Sequence, residues 1–324
     1  MYESDIYFTS SPVNSYESGI YSIKQDGSEI RQILRNADIY SSPSKTKKIV
    51  YVGYPAPGVK IIYKANIDGT NVEVLKDEKF SNYMLYPLIS SNGKHIVIND
   101  VRGNLWLIKE DKSEYKLTEK LCYNTLPSFS PDGTKLAYYE GVELYDPLTV
   151  VILDMEQDPP VEITRKVHKT GLEKYTGLAT IAWTKDSKKV CYVISKNVAS
   201  DYIYIGDYAS PSDIGYEVTS IGAYQPSVNS DLSKVVFAAR DGNLWIRNLK
   251  DTTKRYQRLT SSGRVSQNLY PEWSPDEKSI MYIRQFKDES DIMTAALELI
   301  DMTGEKPISR VLSNNVYKGY WNSK

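Results

Sequence analysis

Six tyrosine and arginine side chains fall at related points of this sequence and could form a binding surface. Tyr and Arg combine a large contact area with directional hydrogen bonds, and both are enriched among the residues that dominate binding energy. Three of them are arginines that lie four to six residues after the aligned apolar positions of a repeat described below. The predicted binding residues are Tyr54, Arg102, Tyr224, Arg240, Tyr270 and Arg284.

Ion pairing between repeats is the competing interpretation of the same arginines. Asp100 and Asp241 stand next to Arg102 and Arg240 in the sequence. The sequence leaves the two interpretations open. Further tyrosines predicted to reach the same face are Tyr123, Tyr139, Tyr145, Tyr175 and Tyr317.

Metal chemistry has little support, because the chain contains only His95 and His168 and they lie far apart. A zinc or manganese site usually needs three or four ligands of defined geometry. Glu140, Glu143 and Asp146 crowd one segment, where a solvated acidic loop is favoured over a calcium site. We therefore predict no metal site.

Cofactor and nucleotide motifs do not occur in the chain, which contains no HExxH, CxxC, GxGxxG, P-loop or EF-hand pattern. We predict no catalytic residue and no cofactor. A glycosidase with paired carboxylates stays open, because its two acids can lie far apart in sequence.

Composition narrows the classes of partner. The 324 residues are 41% hydrophobic and 25% charged, and the net charge is −1. That balance is typical of a globular protein and lacks the basic excess that drives nucleic-acid binding. No apolar run approaches the length of a membrane span. Cys122 and Cys191 fall in different repeats, so both are predicted to be buried free thiols.

A repeat runs through the chain and must supply the elements that position these side chains. Each copy reads as a Pro, an aromatic or aliphatic residue, a tight turn and an alternating strand, and two more strands follow. The clearest copies are LPSFSPDGTKLAYY at 126–139 and YPEWSPDEKSIMYI at 270–283. Weaker copies lie at 40–52, 86–99, 180–193 and 225–238.

Seven units of this repeat fit the chain. The apolar residues that begin each second strand are 40 to 54 residues apart, which matches one four-stranded propeller blade. These positions are Ile6, Ile49, Ile96, Leu136, Val190, Val235 and Ile280.

The first unit lacks an opening strand, and GYWNSK at 319–324 supplies the missing phrase. The sequence therefore predicts a single all-β domain over residues 1–324, a closed β-propeller of seven four-stranded blades. Residues 317–324 are predicted to complete the N-terminal blade. A six-bladed ring is the alternative.

The openers SPDGTKLAYY and PEWSPDEKSIMYI, with partners such as NLWLIKEDKSEYKLT at 104–118, resemble the repeats of the TolB-like propeller family. The resemblance covers essentially the whole chain. It implies an extracytoplasmic location, in the periplasm or cell envelope, although the chain starts without a signal peptide. TolB itself has six blades and an additional N-terminal α/β domain, for which this chain has no room.

Two related propeller classes are enzymes. The prolyl-oligopeptidase-like enzymes carry a G-x-S-x-G elbow in a separate domain, and this sequence has no such motif. Oligogalacturonate lyase-like proteins use a His-rich metal site in a seven-bladed channel, whereas this chain has two histidines.

The function predicted from these observations is a non-catalytic binding module that recognises a protein segment or a glycan at the channel-mouth face. We expect a monomer without nucleic-acid partner or membrane insertion. The alternative is a carbohydrate-active lyase or hydrolase with its active site in the channel mouth, and a third possibility is a purely structural repeat protein.

Overall fold

The structure is a computed structural model in which all regular secondary structure of the described residues is β-strand. The described residues are 5–11, 18–76, 86–100, 104–118, 127–140, 148–168, 180–197, 200–209, 216–219, 221–253, 255–263, 265–304 and 306–322.

The strands of the first three blades are β1 (Ile6–Ser10), β2 (Gly19–Ile23), β3 (Arg31–Arg35), β4 (Ala37–Ile39), β5 (Lys48–Ala56), β6 (Val59–Asn66), β7 (Glu73–Lys76), β8 (Tyr86–Ile89), β9 (Ile96–Asn99), β10 (Leu105–Ile108) and β11 (Glu114–Lys116). Blades 4 and 5 contain β12 (Ser128–Phe129), β13 (Lys135–Glu140), β14 (Leu148–Asp154), β15 (Val161–His168), β16 (Ala182–Trp183), β17 (Lys189–Asn197), β18 (Ser200–Asp207) and β19 (Tyr216–Glu217). The remaining strands are β20 (Ala223–Val228), β21 (Lys234–Ala239), β22 (Leu244–Asn248), β23 (Tyr256–Arg258), β24 (Ser266–Trp273), β25 (Ser279–Lys287), β26 (Met293–Asp301), β27 (Ile308–Asn314) and β28 (Val316–Trp321).

These strands form seven antiparallel sheets of four strands each. Blade 1 has the order β28-β1-β2-β3, and each later blade uses four consecutive strands, from β4-β5-β6-β7 in blade 2 to β24-β25-β26-β27 in blade 7. The prediction of a seven-bladed all-β propeller is confirmed, and the six-bladed alternative is wrong.

The core explains why the repeat is visible in the sequence. The seven aligned apolar positions are all buried at 7% exposure or less, each on the second strand of its blade. They belong to seven hydrophobic clusters, and each cluster joins the facing sides of two neighbouring blades. A blade buries its faces only against its neighbours, so the apolar pattern must recur once per blade.

The C-terminal strand closes the ring. β28 pairs antiparallel with β1, and Trp321 lies opposite Ile6 while Tyr320 lies opposite Tyr7. Trp321 packs in the cluster between blades 7 and 1, and Tyr320 packs in the cluster between blades 1 and 2. The predicted closure is confirmed.

The Ser-Pro-Asp-Gly segments form the turns between first and second strands. In blade 4 the Ser130 hydroxyl hydrogen-bonds to the Asp132 carboxylate, which also accepts the Thr134 amide at 3.0 Å. Gly133 has φ +76°, a conformation that favours glycine. These turns gather at one end of the propeller, which we call the first-turn end.

Candidate ligand-binding channel

Two of the predicted tyrosines have hydroxyl groups engaged within their own blades. The Tyr54 hydroxyl donates to Asp38 Oδ2 at 2.6 Å, and the Tyr224 hydroxyl donates to the carbonyl of Ala239 at 3.4 Å. Burial raises the pKa of Tyr54, and the hydrogen bond to Asp38 raises it further. Both rings are half-buried, so these tyrosines shape the scaffold as well as its surface.

The guanidinium of Arg284 is engaged inside blade 7. Its Nε donates to the buried carboxylate of Glu298 on the adjacent strand, and its charge lies 4.2 Å from the centre of the Phe286 ring. The same carboxylate accepts hydrogen bonds from the Tyr282 hydroxyl and from Ser309 Oγ at 2.9 Å. This pair lies within one blade, whereas the ion pairs considered from the sequence were between repeats.

Arg240 is exposed at the end of β21. Its side chain packs over Gly222, where an added Cβ would come within 2.9 Å of Arg240 Cδ. The neighbouring Asp241 carboxylate accepts the Asn243 amide at 3.0 Å and the Trp245 indole at 3.2 Å, so it holds the turn between β21 and β22.

The remaining residues predicted for the binding face fall into three groups by their position in the structure. Arg102, Tyr123, Tyr145 and Tyr175 lie outside the described residues. Tyr317 is exposed. Tyr139 does not reach the face, because it is fully buried between blades 4 and 5, where its hydroxyl accepts the Val193 amide at 2.9 Å. The prediction of a surface position for Tyr139 was wrong, since its hydroxyl satisfies a backbone donor in the core.

A cavity of 780 Å³ runs along the first strands of all seven blades and reaches the first-turn end. Its aromatic lining includes Tyr40, Trp183, Tyr270, Trp273 and Tyr320. Tyr270 is the one residue of the predicted binding set that lines this cavity within the described residues. The volume lies in the range of small-molecule sites.

Among the charged residues that line the cavity, Glu272 on β24 and Lys318 on β28 were not predicted from the sequence and lie on first strands. Lys318 Nζ lies 5.2 Å from the ring centres of both Tyr270 and Tyr320. Burial lowers the pKa of Lys318 to about 8, opposed by the charge of Glu272. Burial raises the pKa of Glu272 to about 7, opposed by Lys318. The two groups interact electrostatically without forming a direct ion pair within the described residues.

Three lining residues carry a buried hydrogen-bond donor without a partner in the described part of the chain. These donor atoms are Gln225 Nε2, Trp273 Nε1 and the hydroxyl of Tyr320. The equivalent tryptophans of other blades do find acceptors. Trp183 donates to the Ser128 carbonyl at 3.0 Å, and Trp321 donates to the Glu272 carbonyl at 3.3 Å.

A β-bulge in each of blades 6 and 7 places Gln225 and Tyr270 at the channel. The register shifts between Tyr224 and Ser227 in β20, and between Leu269 and Glu272 in β24. Gln225 and Tyr270 take up the extra residue with φ of 52° and 54°. Gln225 Oε1 accepts the Tyr270 amide at 2.8 Å, which ties the two bulges together. Bulges re-aim side chains in this way.

A sequence signal for Glu272 and Lys318 does exist. Each is the single charged residue of its first strand, one and three residues before the blade's tryptophan, in PEW and YKGYW. A charge at such a position must face the channel or a partner, because a buried unpaired charge is costly.

Of the histidine and acidic residues considered as possible metal ligands, His95 and Glu140 make contacts that stabilise the fold. His95 lies in the first turn of blade 3, where its Nε2 is 3.5 Å from Glu156 Oε1, and burial lowers its pKa. Glu140 is buried and pairs with Arg165. Glu143 and Asp146 lie outside the described residues, and within the described part no group of three potential metal ligands occurs.

Cys191 is a buried free thiol, as predicted, and Cys122 lies outside the described residues. No helix of the described residues is long and apolar enough to cross a membrane.

Comparison with known proteins gives matches in structure only. No protein-family model matches the sequence, and no curated protein matches it. Solved structures match with low identity. TolB from Acinetobacter baumannii is 16% identical with a TM-score of 0.53, over 97% of this chain and 81% of that chain. TolB from Agrobacterium tumefaciens is 19% identical with a TM-score of 0.50, over 77% of this chain and 87% of that chain.

Propellers of other proteins match as well. A puromycin-hydrolyzing peptidase of Mycobacterium tuberculosis is 12% identical with a TM-score of 0.65, over 98% of this chain and 52% of that chain. A chain in the mitotic checkpoint complex is 14% identical with a TM-score of 0.58, over 86% of this chain and 77% of that chain. At such identities the similarity shows the fold alone.

The blades and the central cavity define a seven-bladed β-propeller with a channel large enough for a ligand. The match to two TolB structures is consistent with a TolB-like propeller, as the repeats predicted.

Proposed function

We propose that this protein is a non-catalytic binding module that recognises a protein segment or a glycan at the channel-mouth face. The observation that carries the proposal is the 780 Å³ channel, which is lined by aromatic rings and reaches the predicted residue Tyr270. Rigid propeller blades suit recognition, because binding residues on a fixed scaffold lose little freedom on contact.

The predicted residues have two different roles at such a face. Tyr54, Tyr224 and Arg284 are held by partners within their blades, so they give the face a fixed shape. Arg240 is exposed and Tyr270 lies at the channel, so we assign the main ligand contacts to these two and to Arg102. The match to a chain of the mitotic checkpoint complex supports a protein ligand by analogy of fold.

The acidic residues of the channel favour binding over hydrolysis. Asp5 accepts the Gln25 amide at 3.0 Å, Asp276 accepts the Ser274 hydroxyl at 2.6 Å, and Glu277 accepts the Ser230 amide at 2.6 Å. These carboxylates therefore hold turns. Within the described lining Glu272 remains as a single acid, whereas glycoside hydrolysis usually uses a pair.

A carbohydrate-active lyase or hydrolase is the second candidate, and Glu272 is the observation that favours it. A carboxyl group with a pKa of about 7 can exchange protons at neutral pH. Incubation with a panel of oligosaccharides tests for this activity. Cleavage by the wild type that is lost in a folded Glu272→Gln variant would establish an enzyme and contradict the non-catalytic binding module.

The binding proposal is tested by selecting ligands from a displayed peptide library and a glycan array, followed by affinity measurements. We expect Arg240→Ala to weaken the selected ligands by about tenfold or more, which is typical of a residue central to an interface. The matched control is Lys94→Ala, an exposed lysine of the first-turn end, which should leave affinity unchanged. Equal effects of both variants, or no selectable ligand, would contradict the proposal.

We also propose an extracytoplasmic location and a monomeric state. The first rests on the TolB-like repeats, and cell fractionation of the native protein tests it. Light scattering tests the second, and a defined oligomer would contradict it.

A further inference from the structure

Lys318 is a half-buried cation that has no anionic partner at contact distance in the described part of the chain. Within the described residues its Nζ contacts only the faces of Tyr270 and Tyr320, and Glu272 acts on it from a longer distance. Cation–π contacts recover only part of the hydration that an ammonium group loses on burial. The site therefore has capacity for an anion.

The surrounding wall has hydrogen-bond donors in excess. Gln225, Trp273 and Tyr320 all line the cavity, and each carries a buried donor without a partner in the described part of the chain. Buried donors are normally paired, so an unpaired group in a cavity wall calls for an explanation. The ring of Tyr320 lies beside Lys318, and Gln225 is bonded through its Oε1 to the amide of Tyr270, whose ring also lies beside Lys318, so two of these donors belong to residues around the cation.

We propose that the channel is a second binding site, which takes a small molecule bearing one carboxylate group with Lys318 as its counter-ion. This site shares the channel and Tyr270 with the proposed function and goes beyond it, because its ligand lies inside the channel and requires Lys318 instead of Arg240 or Arg102. The carboxylate accepts hydrogen bonds from the wall donors, and the body of the ligand packs against Tyr40, Tyr270 and Tyr320.

A single carboxylate fits the charges better than a phosphate dianion does. Lys318 supplies one positive charge, and Glu272 in its acid form donates a further hydrogen bond to the same ligand oxygen. When Glu272 ionises it repels the ligand instead. The other lining lysines, Lys45 and Lys185, lie in exposed first turns, so a dianion beside Lys318 and Glu272 would remain half neutralised in a half-buried site, which is costly.

The charged and titratable groups that face Lys318 come from several blades. Glu272 and Tyr270 of blade 7 and Tyr320 of its own strand act on Lys318 directly, and Tyr40 with Asp38 of blade 2 interact electrostatically with Tyr320. Asp38 is held by the Tyr54 hydroxyl at 2.6 Å and the Tyr40 hydroxyl at 3.3 Å. The ligand anion therefore needs Glu272 protonated and Lys318 charged, so affinity falls as the pH rises from about 6 to about 9.

The experiment compares benzoate with benzyl alcohol, two probes of similar shape of which only the first is charged. Binding of each to the full chain is measured by calorimetry at pH 6 and again at pH 8.5. We expect saturable binding of benzoate at pH 6, at least about tenfold weaker binding of benzyl alcohol, and weaker benzoate binding at pH 8.5.

Variants assign the binding to the proposed residue. Lys318→Met should lose benzoate affinity by about tenfold or more, and Lys318→Arg should retain the preference for benzoate over benzyl alcohol. The control Lys250→Met removes an exposed lysine from an outer turn of blade 6 and should bind benzoate normally.

Three results would overturn the inference: wild-type protein that does not bind benzoate, equal affinity for both probes, or undiminished binding by folded Lys318→Met. If Lys318→Met does not fold, Glu272→Gln decides instead, because it should retain benzoate binding and show a smaller loss of affinity between pH 6 and pH 8.5. A decline equal to that of the wild type would then contradict the role of the pair. A negative result with benzoate would not contradict the proposed function, because the peptide and glycan selections test binding through Arg240.

Discussion

The indole Nε1 of Trp321 donates to the backbone carbonyl of Glu272 at 3.3 Å. Trp321 lies on the C-terminal strand and Glu272 on the first strand of blade 7, so this hydrogen bond joins the two ends of the ring. Trp183 makes the equivalent bond to Ser128 between blades 5 and 4. The closing strand therefore reproduces a contact that the repeat makes elsewhere.

Removing the indole should weaken ring closure. We expect Trp321→Ala to lower the free energy of unfolding by about 3 to 5 kcal/mol, because a buried aromatic side chain is lost from the cluster between blades 7 and 1. Urea denaturation followed by fluorescence and circular dichroism measures the change. Tyr317→Ala, an exposed residue of the same strand, should change stability by less than about 0.5 kcal/mol.

Deletion of residues 317–324 tests the closure itself. The strand β28 pairs with β1 over most of its length, and its deleted part buries Tyr320 and Trp321. Its loss exposes the edge of β1 and two inter-blade clusters, so we expect a loss of several kcal/mol, on the scale of buried apolar area. An unchanged melting temperature would contradict the closed-ring topology.

Arg284 should matter for stability whether or not it binds a ligand. Arg284→Met leaves the buried carboxylate of Glu298 without its cation, and we expect a loss of about 2 kcal/mol, reduced from the cost of breaking a fully buried pair because Arg284 is partly exposed. The double variant Arg284→Met with Glu298→Met should recover part of the loss, which a double-mutant cycle measures. Additive single effects would argue against direct coupling.

Tyr139 provides a hydrogen bond between blades 4 and 5. Its hydroxyl accepts the Val193 amide at 2.9 Å in a site that is fully buried. Tyr139→Phe leaves that amide unpaired, and we expect a loss of about 1 to 3 kcal/mol in urea denaturation. Tyr317→Phe, which alters an exposed hydroxyl, serves as the control and should have almost no effect.

The architecture could be predicted because every blade must bury its two faces against neighbouring blades in the same way. Ile6, Val190 and Ile280 occupy equivalent buried positions in different blades, and this requirement leaves a period in the sequence. Closure was predictable for the same reason, since Trp321 falls where Trp183 and Trp273 fall in their blades. The regular core thus made the fold visible in the sequence.

The channel was less predictable because its residues depart from the regular pattern. Gln225 and Tyr270 reach it through β-bulges with positive φ, which the alternation of a strand does not indicate. Lys318 and Glu272 are far apart in sequence and interact electrostatically only because the ring closes. Tyr139 was misplaced because a tyrosine at a strand end looks the same in sequence whether its hydroxyl reaches water or a buried amide.

Glu272 should make stability depend on pH. Burial raises its pKa in the folded state to about 7, from a usual value of 4.5, so the folded protein binds the proton more tightly than the unfolded chain does. The stabilisation is complete below about pH 4.5 and is lost as the pH rises through about 7. Lys318 has the opposite shift, from 10.5 to about 8, so its contribution is present above about pH 10.5 and is lost as the pH falls through about 8.

The variant Glu272→Gln measures how much of the pH dependence of stability comes from Glu272. At pH 4 the variant and the wild type should have nearly the same free energy of unfolding, because the wild-type carboxyl group is then largely protonated in both the folded and the unfolded state and resembles the amide. Between pH 5 and pH 8 the variant should become more stable than the wild type by about 1 to 3 kcal/mol, the range that a pKa shift of this size supports in a partly buried site. Urea denaturation at unit pH intervals measures the difference, with Glu289→Gln in an exposed turn as the control that should follow the wild type. A constant difference across this range would show that Glu272 keeps an ordinary pKa, and the channel would then hold an ionised carboxylate beside Lys318 at neutral pH.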